Sequence, residues 1–144
     1  MRPIELPYLS ELVALRRDLH AHPELAYKET RTAEIVAREL AAYGLEVHRG
    51  LAGTGVVGVL RQGDSPRAIG LRADMAALPL QEKNDFPYRS RHPGAMHGCG
   101  HDGHTAMLLG AAAPRRSWPQ SPTSTAPFIF CSSPPRKARA AHRR

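Results

Sequence analysis

GTGVVGVLRQGDSPRAIGLRADMAALPL, residues 53–80, decides the fold class. Residues 56–60 are a β-branched run with the composition of a strand. Gly63, Asp64, Ser65 and Pro66 follow as a turn, and residues 68–73 read as the next strand. That strand ends at Asp74. In open α/β sheets ligands gather outside the carboxyl ends of strands, so Asp74 is a candidate for orienting or binding a metal. A helix cap or an ordinary loop carboxylate would look the same.

Helical periods flank this stretch. Ser10 is placed to cap a helix whose apolar positions are Leu12, Leu15 and Leu19, with Pro23 forcing a stop near His22. A second helix starts at Thr30 and carries Ala33, Val36, Ala37 and Leu40 on one face, with Gly44 where a left-handed cap belongs. Residues 45–48 alternate as a half-buried strand does, Gly50, Gly53 and Gly55 punctuate a turn, and residues 105–113 begin another helix. The sum is an α/β pattern without internal repeats.

The chain's 144 residues suit one ordinary domain. Its net charge of +7 resembles a nucleic-acid signal until it is divided. Residues 1–113 hold 13 basic and 13 acidic residues, whereas residues 114–144 hold seven basic residues and no acidic one. The later segment also has six of the 13 prolines and none of the 12 glycines. We therefore divide the chain at Ala113, into 1–113 and a basic, Pro/Ser-rich segment 114–144 expected to be disordered. No apolar run is long enough to span a membrane and no signal peptide is evident. Two cysteines make no disulfide framework, so a cytoplasmic setting is expected.

The densest chemistry lies at His97-Gly-Cys99-Gly-His101-Asp102-Gly-His104. Interleaved glycines let several side chains converge, and Cys and His suit Zn²⁺ and its neighbours. The spacing is too short for a zinc finger but suits one corner of a site completed from elsewhere. Asp102 would then serve as acceptor behind a ligand histidine. His20 and His22 are explained by the dipole at a helix C-terminus, and His48 as a surface residue.

Four motifs run in order: RRDLHAHPELAYKET (16–30), GTGVVGVL (53–60), LRADMAALPL (71–80) and MHGCGHDGHTAMLLGAA (96–112). Together they resemble the M20 peptidase-type amidohydrolases, the group of hippurate hydrolases, N-acyl-amino-acid aminoacylases and auxin-conjugate hydrolases. The resemblance covers residues 11–113. It implies the N-terminal part of an α/β catalytic domain holding two divalent metals (Zn, Mn, Co or Ni), with a lid domain inserted later. Cys99 and His101 match two metal ligands, and His104 and Asp102 are candidates for supporting them. The remaining parts would be a Glu-Glu pair, general base then ligand, and two further histidines. The implied substrate is a small N-acyl amino acid, with no specific nucleic-acid or membrane partner; such proteins are often homo-oligomeric. One departure stands out: the family's Arg-Ala-Asp-Met-Asp-Ala-Leu-Pro has Ala76 here for its second acid.

After Ala113 the resemblance stops in this reading frame. WPQSPTSTAPFIFCSSPPRKA, Trp118 to Ala138, becomes AAEPDFDGTVHFLFQPAEEG when suitable synonymous codons are read from their third base. Most bases of the shifted codons are fixed by the next residue, so synonym choice does not easily create this match. Arg136, Lys137 and Ala138 thus encode the missing Glu, Glu and Gly out of frame. The expectation is a frameshifted amidohydrolase, inactive as this chain. The alternatives are a non-catalytic metal-binding fragment and a basic nucleic-acid-binding protein, the latter opposed by the absence of any module pattern.

Overall fold

The computed structural model describes residues 8–61, 68–113 and 128–133. Helix α1 spans Leu9–Ala21 and α2 spans Thr30–Ala42. Tyr8, not Ser10, occupies the N-cap of α1, and no side chain caps it. Ser10 lies inside the first turn. Of the stripe expected on α2, Val36, Ala37 and Leu40 are buried and Ala33 is half-buried, while Thr32 and Ile35, outside that expected set, are buried as well. Its end is a Schellman motif: Leu45 N–H donates to the Leu40 carbonyl and Gly44 N–H to that of Ala41. Gly44 takes the left-handed conformation (φ 80°) that this motif needs.

Strands β1 (Glu46–Leu51) and β2 (Gly55–Leu60) form an antiparallel hairpin from Glu46 opposite Val59 to Leu51 opposite Gly55. Strand β3 is Ile69–Asp74, helix α3 is His101–Ala112, and β4 is Phe128–Ser133. The sheet order is β1-β2-β4-β3, with β4 antiparallel to β2 and parallel to β3. The β3–α3–β4 crossover is what makes this an α/β sheet rather than a meander. Asp74 is the last residue of β3, as read from the sequence.

The main core lies between α2, the hairpin and α3. Val36, Leu40, Leu45, Val56, Leu60 and Leu109 belong to one buried cluster. Gly58 allows the close fit: a Cβ there would lie 3.0 Å from Leu40 and 3.1 Å from Leu45. Burial of each such aliphatic side chain is worth roughly 1.5–3 kcal/mol. No helix among the described residues is long and apolar enough to cross a membrane.

Two further expectations change. Helix α3 begins at His101, four residues before the apolar run that signalled it. The segment after Ala113 is not wholly without regular structure, because residues 128–133 form a strand between β2 and β3. Its Phe-Ile-Phe run has high strand propensity. The turn at Gly63, Asp64, Ser65 and Pro66, and the rest of the basic segment, lie outside the described residues.

Since β4 is the shared neighbour of β2 and β3, a chain ending at Ala113 should lose amide protection in both strands while α2 keeps its own. Hydrogen exchange on the two chain lengths checks this, and equal protection in β2 and β3 would show that β4 contributes no pairing.

Candidate metal centre

Gly100 sets the geometry. It is the N-cap of α3 with φ 74°, a conformation open to glycine at little cost, and it turns the chain directly into the helix at His101. The His101 Nδ1 donates to the Ala76 carbonyl at 2.6 Å. The nearer oxygen of Asp74 lies 3.4 Å from the same nitrogen. With Nδ1 engaged, Nε2 is left as the acceptor, the form in which an imidazole binds a metal.

Asp74 is fixed in turn. Its Oδ1 accepts the Ala76 N–H at 3.1 Å, its Oδ2 lies 3.3 Å from Arg72, and its carbonyl accepts the Thr105 hydroxyl at 3.2 Å. The carboxyl end of β3 and the first turn of α3 are thereby tied together. Cys99 is an exposed free thiol two residues before His101. His104, one turn along α3, is exposed, with its ring centroid 5.8 Å from that of His101.

These residues supply soft and borderline donors at one corner. Cys99 and His101 suit a divalent metal of the zinc type. Among the described residues no three His, Cys, Asp or Glu side chains converge on one point. A closed site therefore needs donors from beyond them.

Asp102 is not part of this corner. It is buried, and its Oδ2 accepts from Arg16 Nε at 2.7 Å and pairs with His20 Nδ1 at 2.8 Å. The expectation that it backs a ligand histidine gives way to a role between α1 and α3. His20 was expected to be a helix-end residue facing the dipole. It is instead buried, its Nε2 3.1 Å from Glu82 Oε1. His22 does stay at the helix end, with Nδ1 donating to the Asp18 carbonyl at 2.9 Å. His48 is on the surface, beside Glu46.

Glu82 had no motif to mark it. Burial would raise its carboxyl, but the Ser90 N–H, the Asn84 amide and His20 outweigh that and hold it below the usual carboxylate range. His97 is also buried, and its ring nitrogens have no hydrogen-bond partner among the described residues. Burial pushes its pKa down to about 4 against the pull of the Asp102 carboxylate; His20, His101 and Arg16 push the same way as burial.

Residues 70–133 match the family described as Peptidase family M20/M25/M40. The hippurate hydrolase of Campylobacter jejuni is 50% identical over 110 residues, covering 76% of this chain and 29% of that protein. An N-acyl-L-amino acid amidohydrolase of Geobacillus stearothermophilus is 50% identical over 104 residues, covering 72% of this chain and 28% of that protein. The chain thus spans less than a third of the length of these curated relatives. Among solved structures, the YXEP protein of Bacillus subtilis, a dinuclear metal-binding peptidase from the M20 family, superposes with a TM-score of 0.81 at 33% identity. It matches 89% of this chain over 35% of its own length.

Stability of the metal-free chain should fall with acid. The depressed His97 pKa means that the unfolded state binds the extra proton, so this contribution is complete above about pH 6.5 and is lost as pH falls toward 4. Its size is on the order of 3 kcal/mol. Glu82 adds a further loss below its unfolded value of 4.5. Urea midpoints measured across pH 4–7 in the presence of chelator test this. His97→Asn should flatten the upper part of the curve, and an unchanged slope would remove His97 as its source.

Proposed function

We propose that the chain, whose residues 70–133 match peptidase family M20, carries one corner of a two-metal centre for hydrolysing the amide bond of N-acyl amino acids. The observation that carries this reading is His101, whose Nδ1 is held by the Ala76 carbonyl while its neighbour Cys99 is a free, exposed thiol. The relatives named for hippurate and for N-acyl-L-amino acids support the substrate class.

Cys99 and His101 would be the donors. A divalent metal, when bound, supplies Lewis acidity toward the amide carbonyl. The remaining work falls to the protein. The Ala76 carbonyl fixes the tautomer of His101, and the Asp74 carboxylate beside the same nitrogen makes the ring a stronger donor. The Ala76 N–H holds the Asp74 carboxylate, and the Thr105 hydroxyl holds the Asp74 backbone carbonyl. His104 stands one turn further on, within reach of small adjustments around His101.

The group that would move protons, the first glutamate of a Glu-Glu pair, is not encoded in this reading frame. We place it at Arg136 and Lys137, out of frame. The 144-residue chain is therefore a metal-binding corner without its general base. Two further metal-ligand histidines would also have to be supplied, as would the second glutamate.

Cobalt(II) titration should give a thiolate-to-cobalt absorption band in the native chain and none in Cys99→Ala. The absence of any band in the native chain would overturn the metal assignment. Hydrolysis of hippurate should be undetectable above a Cys99→Ala control, since loss of a general base alone costs roughly 10²–10⁴-fold. Metal-dependent turnover by this chain would show that the base lies within it.

A further inference from the structure

Beside the metal corner, sharing His101 and Ala76 with it, lies a pocket of about 360 Å³. One wall is Leu25, Ala26 and Lys28; the other is residues 76–79 together with His101. Apart from Lys28 and His101 the lining side chains are apolar. The walls are pinned to each other by the backbone: Ala77 N–H donates to the Glu24 carbonyl at 2.8 Å, in a parallel bridge of Leu25 with Ala77.

The first wall is a tight turn closed by Lys28 N–H on the Leu25 carbonyl at 2.9 Å. Its third residue, Tyr27, has φ 65°. A turn of that type asks for glycine or asparagine at this position. A bulky residue held there is strained, and such strain gathers at ligand sites where the surroundings impose it. Here it falls between Ala26 and Lys28, which line the pocket with Leu25. Lys28 is exposed and makes no ion pair among the described residues. On the opposite wall Ala76 stands where the family motif usually has an acid, so no carboxylate from that position opposes Lys28.

We propose that this pocket is the subsite for an apolar carboxylate, with hydrocarbon against Leu25 and residues 76–79 and the carboxylate facing Lys28. This rests on reading Cys99 and His101 as metal donors, which makes the occupant the amino-acid half of an N-acyl amino acid with an apolar side chain. The strained turn positions Ala26 and Lys28 for it.

The test is a titration of the metal-free 144-residue chain with N-acetyl-L-phenylalanine, followed by amide NMR. Signals of residues 25–28 and 76–78 should shift together. The neutral analogue N-acetyl-L-phenylalaninamide should bind the native chain about two- to fivefold more weakly than the acid, the scale of an exposed ion pair. Lys28→Gln should weaken the acid by the same factor and leave the amide unchanged. Ala26→Phe, which fills the pocket, should weaken both at least tenfold. Tyr27→Gly should bind the acid more weakly, and the neutral amide equally weakly, at a temperature where its circular dichroism matches that of the native chain, which separates positioning from mere stability. Shifts confined to other residues, or equal binding of acid and amide, would overturn the proposal. The cobalt band at Cys99 distinguishes the two levels. A chain that binds cobalt but not the acid loses this subsite alone. One that binds the acid but not cobalt keeps the carboxylate pocket and loses the metal reading.

Discussion

His20 is the point on which the described structure turns. One ring nitrogen faces Asp102 and the other faces Glu82, at 2.8 and 3.1 Å, with Arg16 closing on the same Asp102 oxygen. Helix α1, the start of α3 and the loop after β3 meet in this one buried cluster. The Arg16 guanidinium sets a positive charge against the buried Asp102 carboxylate. Withdrawing one partner from such a buried pair typically costs about 3–5 kcal/mol. A small domain has only about 5–15 kcal/mol in total. Phe86 and Tyr88 stack on each other at 4.3 Å and flank the His20 ring, keeping water from competing for its partners.

The same cluster aims the candidate metal centre without touching it. Successive residues of a helix point about 100° apart. His101 and Asp102 are therefore turned to different sides of α3. With Asp102 anchored on α1, His101 is directed toward the end of β3, where Ala76 and Asp74 receive it. His104, three residues on, returns to the face of His101. The sequence offered Asp102 as acceptor behind a ligand histidine, whereas helix geometry turns it away from His101 and toward α1. The acceptor role falls to the Ala76 backbone, which explains how the corner keeps its shape although position 76 has no carboxylate.

What was legible in the sequence is what periodicity encodes. The α2 stripe, the Gly44 cap, the hairpin strands and Asp74 at the end of β3 all follow from spacing and glycine placement. The start of α3 did not, because its first turn, His101-Asp102-Gly103-His104, has no apolar residue to show a period. The His20 cluster was illegible for another reason. Its members lie 62 and 82 residues apart along the chain, and a charged pair buried between elements leaves no local pattern. His20 read as a helix-end residue because that reading needed no partner.

Composition did not reveal the β4 strand within the segment after Ala113. Proline and serine dominate that segment's average, yet six residues within it, FIFCSS, take a place between β2 and β3. The genetic code supplies a reason under the out-of-frame reading. Codons for Phe and Ile all have U in the second position, and those for Phe also begin with U. Read from the third base, Phe130 and Cys131 yield Leu whichever synonyms are used, and Ile129 with Phe130 yields Phe, Leu or Ile. Phe128 with Ile129 yields Tyr or His. Both frames therefore place apolar and aromatic residues at these positions, and both favour an extended strand. No such protection extends to Arg136 and Lys137, where a glutamate pair in one frame becomes two cations in the other. Under that reading the strand keeps an apolar, aromatic sequence in both frames, while the glutamate pair beyond it is lost.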